Sequence, residues 1–461
     1  DYHGAWLRSV AVPLSSGIAG VANNGVATAG AEWLAAFEQA AGALAPLSTV
    51  EAVVISGNGP TVIPVTGEPG MDSTGLFVPA GASRLWLDRR AEEESRIVSE
   101  AVGDFVDAGF FLPKILAIKR REEELYQRTK YFLGAPEFLA YALTGEARMV
   151  FPSEGFTRWY WDRAALEKTG LDAAKMPPFI SPGETTGILA SRAASRFGFS
   201  PGTRVIAGGP DFFVSILGAA VTGPGQCCDR SGSSEGINVC TAERIIDPRL
   251  MSYGHPIPGL WNLSGIISTT GMAVSWAREL LGLAAEDYGA FFARAEKAAA
   301  GAGGVVFLPY LAGERAPVWD PRARGVLMGL SLTTGREEAA RAVAEGVCYA
   351  IRDVAEVMES CGADIREFRV SGGAAESRFL NQLKADITGR PVLVPARREA
   401  ELAGLAAIGA AAMGKYASFA EAALATVRME AEYLPHPAHA RIYEAGFARY
   451  RELYRSLKGL F

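Results

Sequence analysis

Apolar and polar positions change period along the chain, and the changes set out its elements in order. Residues 6–14 alternate well enough for a strand, and Asp1-Tyr2-His3-Gly4 before them reads as a hairpin turn. Helical spacing follows around residues 32–43. A short apolar run, residues 50–56, then ends in Gly57-Asn58-Gly59-Pro60. A strand that stops at a glycine turn puts backbone at the end of a sheet, where α/β proteins place ligands. Residues 91–141 are helix-rich, and Lys119 with Glu123 sets opposite charges at i,i+4, the mark of a solvated helix face. Beyond a proline-rich loop at residues 177–183 comes a second series of strands, at 203–207, 236–241, 305–311, 368–371 and 392–395. Amphipathic helices separate them. The clearest, residues 337–359, puts Ala340, Val343, Val347, Ile351, Val354 and Val357 on one face. Strands alternating with long helices predict the α/β class, as two related lobes around a central cleft. The boundary falls at 222/223, giving an N-terminal lobe of residues 1–222 and a C-terminal lobe of 223–461.

Composition narrows the function classes. A chain of 461 residues is too long for one hydrophobic core. At 49% hydrophobic and 21% charged it is globular, which excludes a disordered or fibrous protein. Forty-five basic against 51 acidic residues leave a net charge of −6, so no basic surplus calls for nucleic acid or an anionic membrane. Five cysteines without a C-x-x-C exclude a disulfide scaffold and read as core residues in a reducing, cytoplasmic compartment. With four histidines and neither H-E-x-x-H nor a calcium loop, no metal site built on protein ligands is expected. No run reaches the ~18 apolar residues of a membrane span. Residues 402–413 read instead as a buried helix, and no signal peptide is expected.

Neither G-x-x-x-x-G-K-[ST] nor G-x-G-x-x-G after a strand is present, which sets aside P-loop and dinucleotide enzymes. Three glycine turns that follow strands carry the chemistry instead. In Ala207-Gly208-Gly209-Pro210-Asp211 the carboxylate reads either as the cap of the next helix or as a base for a substrate hydroxyl. Ser231-Gly232-Ser233-Ser234-Glu235-Gly236 offers backbone N–H groups and hydroxyls to an anion. It also fits G-x-S-x-G with Ser234 as a hydrolase nucleophile, but that motif needs a helix after the serine, and residues 237–240 read as a strand. Ser371-Gly372-Gly373-Ala374 lets a flat or phosphorylated ligand approach the backbone, or simply allows close helix–strand contact.

Taken in order, these turns resemble the FGGY family of carbohydrate kinases over nearly the whole chain. Phe111-Leu112-Pro113-Lys114 with Phe138-Leu139-Ala140-Tyr141 is similar to the family's first signature, with Ala117 where tryptophan is common. Leu308-Pro309-Tyr310-Leu311-Ala312-Gly313-Glu314-Arg315-Ala316-Pro317 resembles its most recognisable stretch, and Tyr443, Tyr450 and Tyr454 resemble its ending. The resemblance implies two ribonuclease-H-like lobes of the actin-like ATPase type and phosphorylation of a sugar or polyol hydroxyl by ATP with Mg2+. It implies Asp211 as catalytic base. Ser231, Gly232, Ser233 and Ser234 would serve the phosphates, Gly372, Gly373, Ala374 and Ser377 the adenosine, and Gly271 would also belong to the nucleotide site. No residue is assigned as a metal ligand. A small-molecule sugar is the implied partner, with a homodimer as the assembly allowed for.

Two departures qualify that resemblance. The family opens with a strand and a D-x-G-T turn, and Asp1 matches the hairpin after it, so those residues are expected in the parent protein. Xylulose kinases carry G-Q-M-H-G where this chain has Gly57-Asn58-Gly59-Pro60-Thr61, so Pro60 replaces a histidine that faces sugar, leaving Asn58 or Thr61 to bond a hydroxyl. Asp88 and Arg90 resemble a W-x-D-x-R motif and are candidates for sugar contact or for a structural pair. Phe212 after Asp211 would give the pocket an apolar wall. A ketopentose such as xylulose is the favoured acceptor; a non-catalytic sugar- or nucleotide-binding homologue and the Ser234 hydrolase are the alternatives.

Overall fold

The computed structural model describes residues 3–14, 26–27, 29–67 and 79–461. It divides into two compact units, Asp1–Val214 with Gly404–Ala422, and Ser215–Ala403 with Ala423–Phe461. A single cut at residue 222 would leave residues 404–422 in the second unit. They belong to the first because small residues allow close approach there: a Cβ on Gly409 would lie 2.7 Å from Val54 Cγ2, and one on Gly208 2.4 Å from Leu405 Cδ2.

The first unit is built on β1 (Ala52–Gly57), α1 (Phe111–Arg121), α2 (Ala135–Thr144), β2 (Thr185–Ile188), β3 (Arg204–Pro210) and the first four residues of α3 (Asp211–Gly218). The three strands form one sheet in the order β1-β3-β2, with β1 and β3 parallel and β2 antiparallel. Leu143 of α2 and Val205 of β3 are fully buried together beneath it. Two expectations fail here. Residues 5–14 form no strand, and Leu7 is 78% exposed, because alternation specifies a strand only where a ladder partner exists. Lys119 does not pair with Glu123 either. The helix stops at Glu122 (φ −138°, ψ 56°), and Lys119 donates to the Gly170 carbonyl instead. Arg120 and Arg121 reach back to the buried Glu94 at 2.9 and 2.6 Å.

The second unit contains β4 (Gln226–Ser231), β5 (Glu235–Thr241), β6 (Met251–Gly254), β7 (Trp261–Ile267), α4 (Gly271–Leu280), α5 (Arg336–Ser360), β8 (Glu367–Gly372), α6 (Arg378–Thr388), β9 (Val392–Pro395), β10 (Met429–Tyr433) and α7 (Ala440–Leu457). These strands make one seven-stranded sheet ordered β6-β7-β5-β4-β8-β9-β10. The β4–β8 and β8–β9 pairs are parallel; the others are antiparallel. Helix α5 supplies the core where its periodicity predicted, burying Ala340, Val343, Val347, Ile351 and Val354. Tyr443, Phe447 and Tyr450 of α7 join the same core. Among the described residues no helix is long and apolar enough to cross a membrane.

Candidate functional site

In the first unit, the end of β3 shows how glycine positions a carboxylate. Ile55 pairs with Ala207 and Ser56 with Gly209, which leaves Gly208 as the extra residue of a bulge. A Cβ on Gly208 would sit 2.5 Å from the Ile55 carbonyl oxygen, and Gly209 has φ +121°, so both positions demand glycine. Ser56 Oγ holds the bulge by donating to the Gly209 carbonyl at 2.7 Å. The redirected chain delivers Asp211, half-buried, as the first residue of α3, where its Oδ1 accepts the Phe212 N–H at 2.6 Å.

The loop after β1 lies beside it. Asn58, Gly59 and Pro60 line a pocket together with Pro210, Trp159 and Glu137. Thr61 is fully buried and does not line it. Phe212 packs on Trp159 and Phe156 with ring centroids 5.2 and 5.9 Å away, while Phe213 turns into the core. Asp88 and Arg90 do not line this pocket. Arg90 spends its fork on Asp88, at 2.9 and 2.5 Å. Burial pushes the Asp88 carboxyl up, but the hydrogen bonds from Arg90 outweigh it and hold the group below its ordinary range. The buried Lys114 joins the two loops by donating to the Pro60 and Leu85 carbonyls at 2.7 and 2.6 Å, and burial draws its ammonium down to about 7.

Glu137, in the first turn of α2, is also buried and accepts the Val150 N–H at 3.2 Å; burial raises its carboxyl from 4.5 to about 7. Between those values the folded protein keeps a proton that the unfolded chain has lost. Glu137 therefore contributes stability below about pH 4.5 that is lost as pH rises to about 7, by roughly 3 kcal/mol in all. In Glu137→Gln this part of the pH dependence should vanish, which urea midpoints measured from pH 4.5 to 7.5 would show.

In the second unit the two remaining glycine turns come together. Strands β4 and β8 are parallel neighbours, with Ser231 opposite Gly372, so both turns leave the same end of the sheet. Gly372 has φ +81°, and a Cβ there would stand 2.0 Å from the Ser231 carbonyl oxygen. The Ser231–Ser234 turn also docks on the start of α4. Gly271 N–H donates to Gly232 O at 3.2 Å and Met272 N–H to Ser233 O at 3.1 Å. A Cβ on Gly271 would lie 2.3 Å from Gly232 O. Gly232, Ser233 and Gly373 are exposed, and Ser234 and Ala374 partly so. Ser377 caps α6, its Oγ accepting the Leu380 N–H at 3.2 Å. Ser234 leads directly into β5, a strand, which removes the helix a hydrolase nucleophile requires.

Sequence reasoning missed the groups beneath this turn. Lys384 Nζ, almost fully buried, donates to Asp229 Oδ2 at 2.5 Å, Glu235 Oε1 at 2.6 Å and Ser231 Oγ at 2.9 Å. Ser231 Oγ donates in turn to Glu235 at 2.6 Å. Burial and the neighbouring Glu235 charge push Asp229 far up, whereas Lys384 overcomes burial and brings Glu235 down to about 2. Burial opposes the Lys384 charge, and the two carboxylates hold it in place. One signal was available: Lys384 falls in the apolar stripe of α6 with Leu380, Leu383 and Ile387.

Residues 46–218 match the N-terminal domain, and residues 230–413 the C-terminal domain, of the FGGY family of carbohydrate kinases. The chain is 29% identical over 393 residues to a xylulose kinase of Escherichia coli strain K12, covering 81% of this chain and 80% of that protein. It is 30% identical over 321 residues to a xylulose kinase of Klebsiella pneumoniae, covering 66% and 65%. Its fold is similar to the crystal structure of a xyloylose kinase from Brucella ovis, with a TM-score of 0.80, 24% identity, and coverage of 94% of this chain and 91% of that one. The architecture is the two-domain, actin-like fold of these enzymes. The chain belongs to the FGGY family of carbohydrate kinases.

Proposed function

We propose that this protein transfers the γ-phosphoryl group of ATP to a hydroxyl of a ketopentose, xylulose first, with Asp211 as general base. The observation that carries the reading is the pairing of Ser231 with Gly372, which sets two glycine turns side by side at one end of a sheet. Two exposed glycine turns side by side, with backbone N–H groups open to a ligand, suit a nucleotide. Gly232, Ser233 and Ser234 would hold the phosphates, and Gly373 and Ala374 would underlie the adenine. The residues fit the group: Gly232, Ser233 and Gly373 are exposed for it to approach, and glycine at 271 and 372 lets the turns pack closely beneath. Mg2+, arriving on the nucleotide, supplies neutralisation of phosphate charge. Asp211 orients the attacking hydroxyl and takes its proton. Asn58 offers an amide to the sugar, and the face of Trp159 offers an apolar wall to its C–H groups. A cytoplasmic setting goes with this reading.

The acceptor comes from the relatives, which carry the name xylulose kinase; a Bacillus subtilis gluconokinase is 25% identical over 360 residues. The test is ADP release from Mg-ATP against xylulose, ribulose, pentitols, glycerol and gluconate. Xylulose should give the highest kcat/KM. Turnover confined to another acceptor would replace the substrate but keep the kinase, and silence with ATP still binding would favour a non-catalytic homologue.

A further inference from the structure

On the helix that Ser377 caps, two residues beyond Lys384, three side chains of metal-ligating type meet on one point of the second unit. Asp386 lies on α6, and His436 and His439 flank the short turn Pro437–His439 that leads into α7. His439 Nδ1 lies 2.8 Å from Asp386 Oδ2, and His436 Nδ1 lies 3.2 and 3.3 Å from the two oxygens of the same carboxylate. One donor atom from each of the three residues lies within 4.8 Å of the others. The chain has four histidines, so half of them converge here.

The carboxylate is also oriented from outside the trio. Asp386 Oδ1 accepts Gln382 Nε2 and the His436 backbone N–H, each at 2.8 Å. Its side chain is 3% exposed, whereas His436 and His439 are 56% and 39% exposed. A buried, doubly anchored carboxylate beneath two accessible imidazoles is the layout of a ligand held by outer partners with an approach from solvent. Donor spacing agrees. Tetrahedral ligands at about 2.0–2.1 Å from a zinc ion stand about 3.3 Å apart; His436 is at that spacing from the carboxylate, at 3.2 and 3.3 Å, and His439, hydrogen-bonded at 2.8 Å, would move out by about half an ångström.

We infer that Asp386, His436 and His439 form a binding site for a borderline divalent cation of the Zn2+ class, with the fourth position open to water. Two imidazoles and one carboxylate favour such an ion over Mg2+, which prefers an octahedron of oxygens. The ion would replace the two ring–carboxylate hydrogen bonds and fasten the start of α7 to α6. The site thus acts on stability, independently of the phosphoryl chemistry proposed above.

The test is calorimetric titration of chelator-treated protein with Zn2+, in excess Mg2+ so that oxygen-rich sites are filled. Co2+ absorption serves as the reporter of geometry. One equivalent should bind, raise Tm and give a four-coordinate Co2+ spectrum. The double variant His436→Gln/His439→Gln keeps amide donors for the carboxylate, so it should fold with a modestly lower metal-free Tm and bind at least about tenfold more weakly. Gln382→Ala should lose about tenfold through the freed carboxylate. Equal Zn2+ affinity in wild type and double variant, or no binding to wild type, would show that the trio is held by hydrogen bonds alone and overturn the site.

Discussion

Asp211→Asn should lower kcat by roughly 10²–10⁴-fold, the usual scale for loss of a general base, with ATP affinity unchanged. The substitution separates the two readings of this residue. As a helix cap, Asp211 uses one oxygen to accept the Phe212 N–H at 2.6 Å, and an asparagine keeps an oxygen there. A base needs a second lone pair and a negative charge, which asparagine lacks. The bulge at Gly208, the positive φ of Gly209 and the Ser56 bond to Gly209 are untouched, so the geometry that presents residue 211 survives. Loss of turnover at constant Tm supports the base. Retained turnover at constant Tm would reduce Asp211 to a cap.

The largest stability effect is expected at Lys384. Lys384→Met fills a similar volume but leaves Asp229 and Glu235, both buried, without their cation. Breaking a buried ion pair from one side costs about 3–5 kcal/mol, since the remaining charge stays desolvated. For a unit of this size that is a fall of roughly 10 °C in Tm. The triple variant Lys384→Met/Asp229→Asn/Glu235→Gln should recover more than half of the loss, because it removes the stranded Glu235 charge and the second buried acid along with the cation. If the triple variant is no better than the single one, lost contacts of the lysine stem matter more than charge. Lys384 also donates to Ser231 Oγ, so a milder change, Lys384→Arg, should raise the KM for ATP more than it lowers kcat. Thermal melts and steady-state kinetics check the two effects separately.

Much of this was open to sequence reading because the pattern and the chemistry agreed. The stripe of Ala340, Val343, Val347, Ile351 and Val354 on α5 has one helical period and one buried face. The hairpin at Ser231–Glu235 was legible from glycine and serine followed by an apolar run, and the same feature argued against a hydrolase. Strand β4 was not legible, because Asp229 and Arg230 interrupt its apolar run, and only the fold brings Lys384 within reach of Asp229. Residues 6–14 misled for the converse reason: alternation describes a surface that fits a sheet and says nothing of a partner. Trp159 gave no local signal, since its place beside Phe212 and Asn58 depends on contacts with residues 53 and 101 positions away along the chain. The return of residues 404–422 to the first unit likewise rests on a Gly–Leu contact that no periodicity encodes. Asp88 and Arg90 carried two readings in the sequence, sugar contact or a structural pair, and their geometry is that of an ion pair.

The central claim is phosphoryl transfer to a sugar, and the most direct measurement follows the phosphoryl group itself. The purified protein would be given Mg-ATP labelled at the γ-phosphate together with xylulose, and the products separated. The account predicts label in a sugar phosphate, in step with ADP, and none with Asp211→Asn. Label released only as inorganic phosphate, or kept in ATP while both ligands bind, would contradict it.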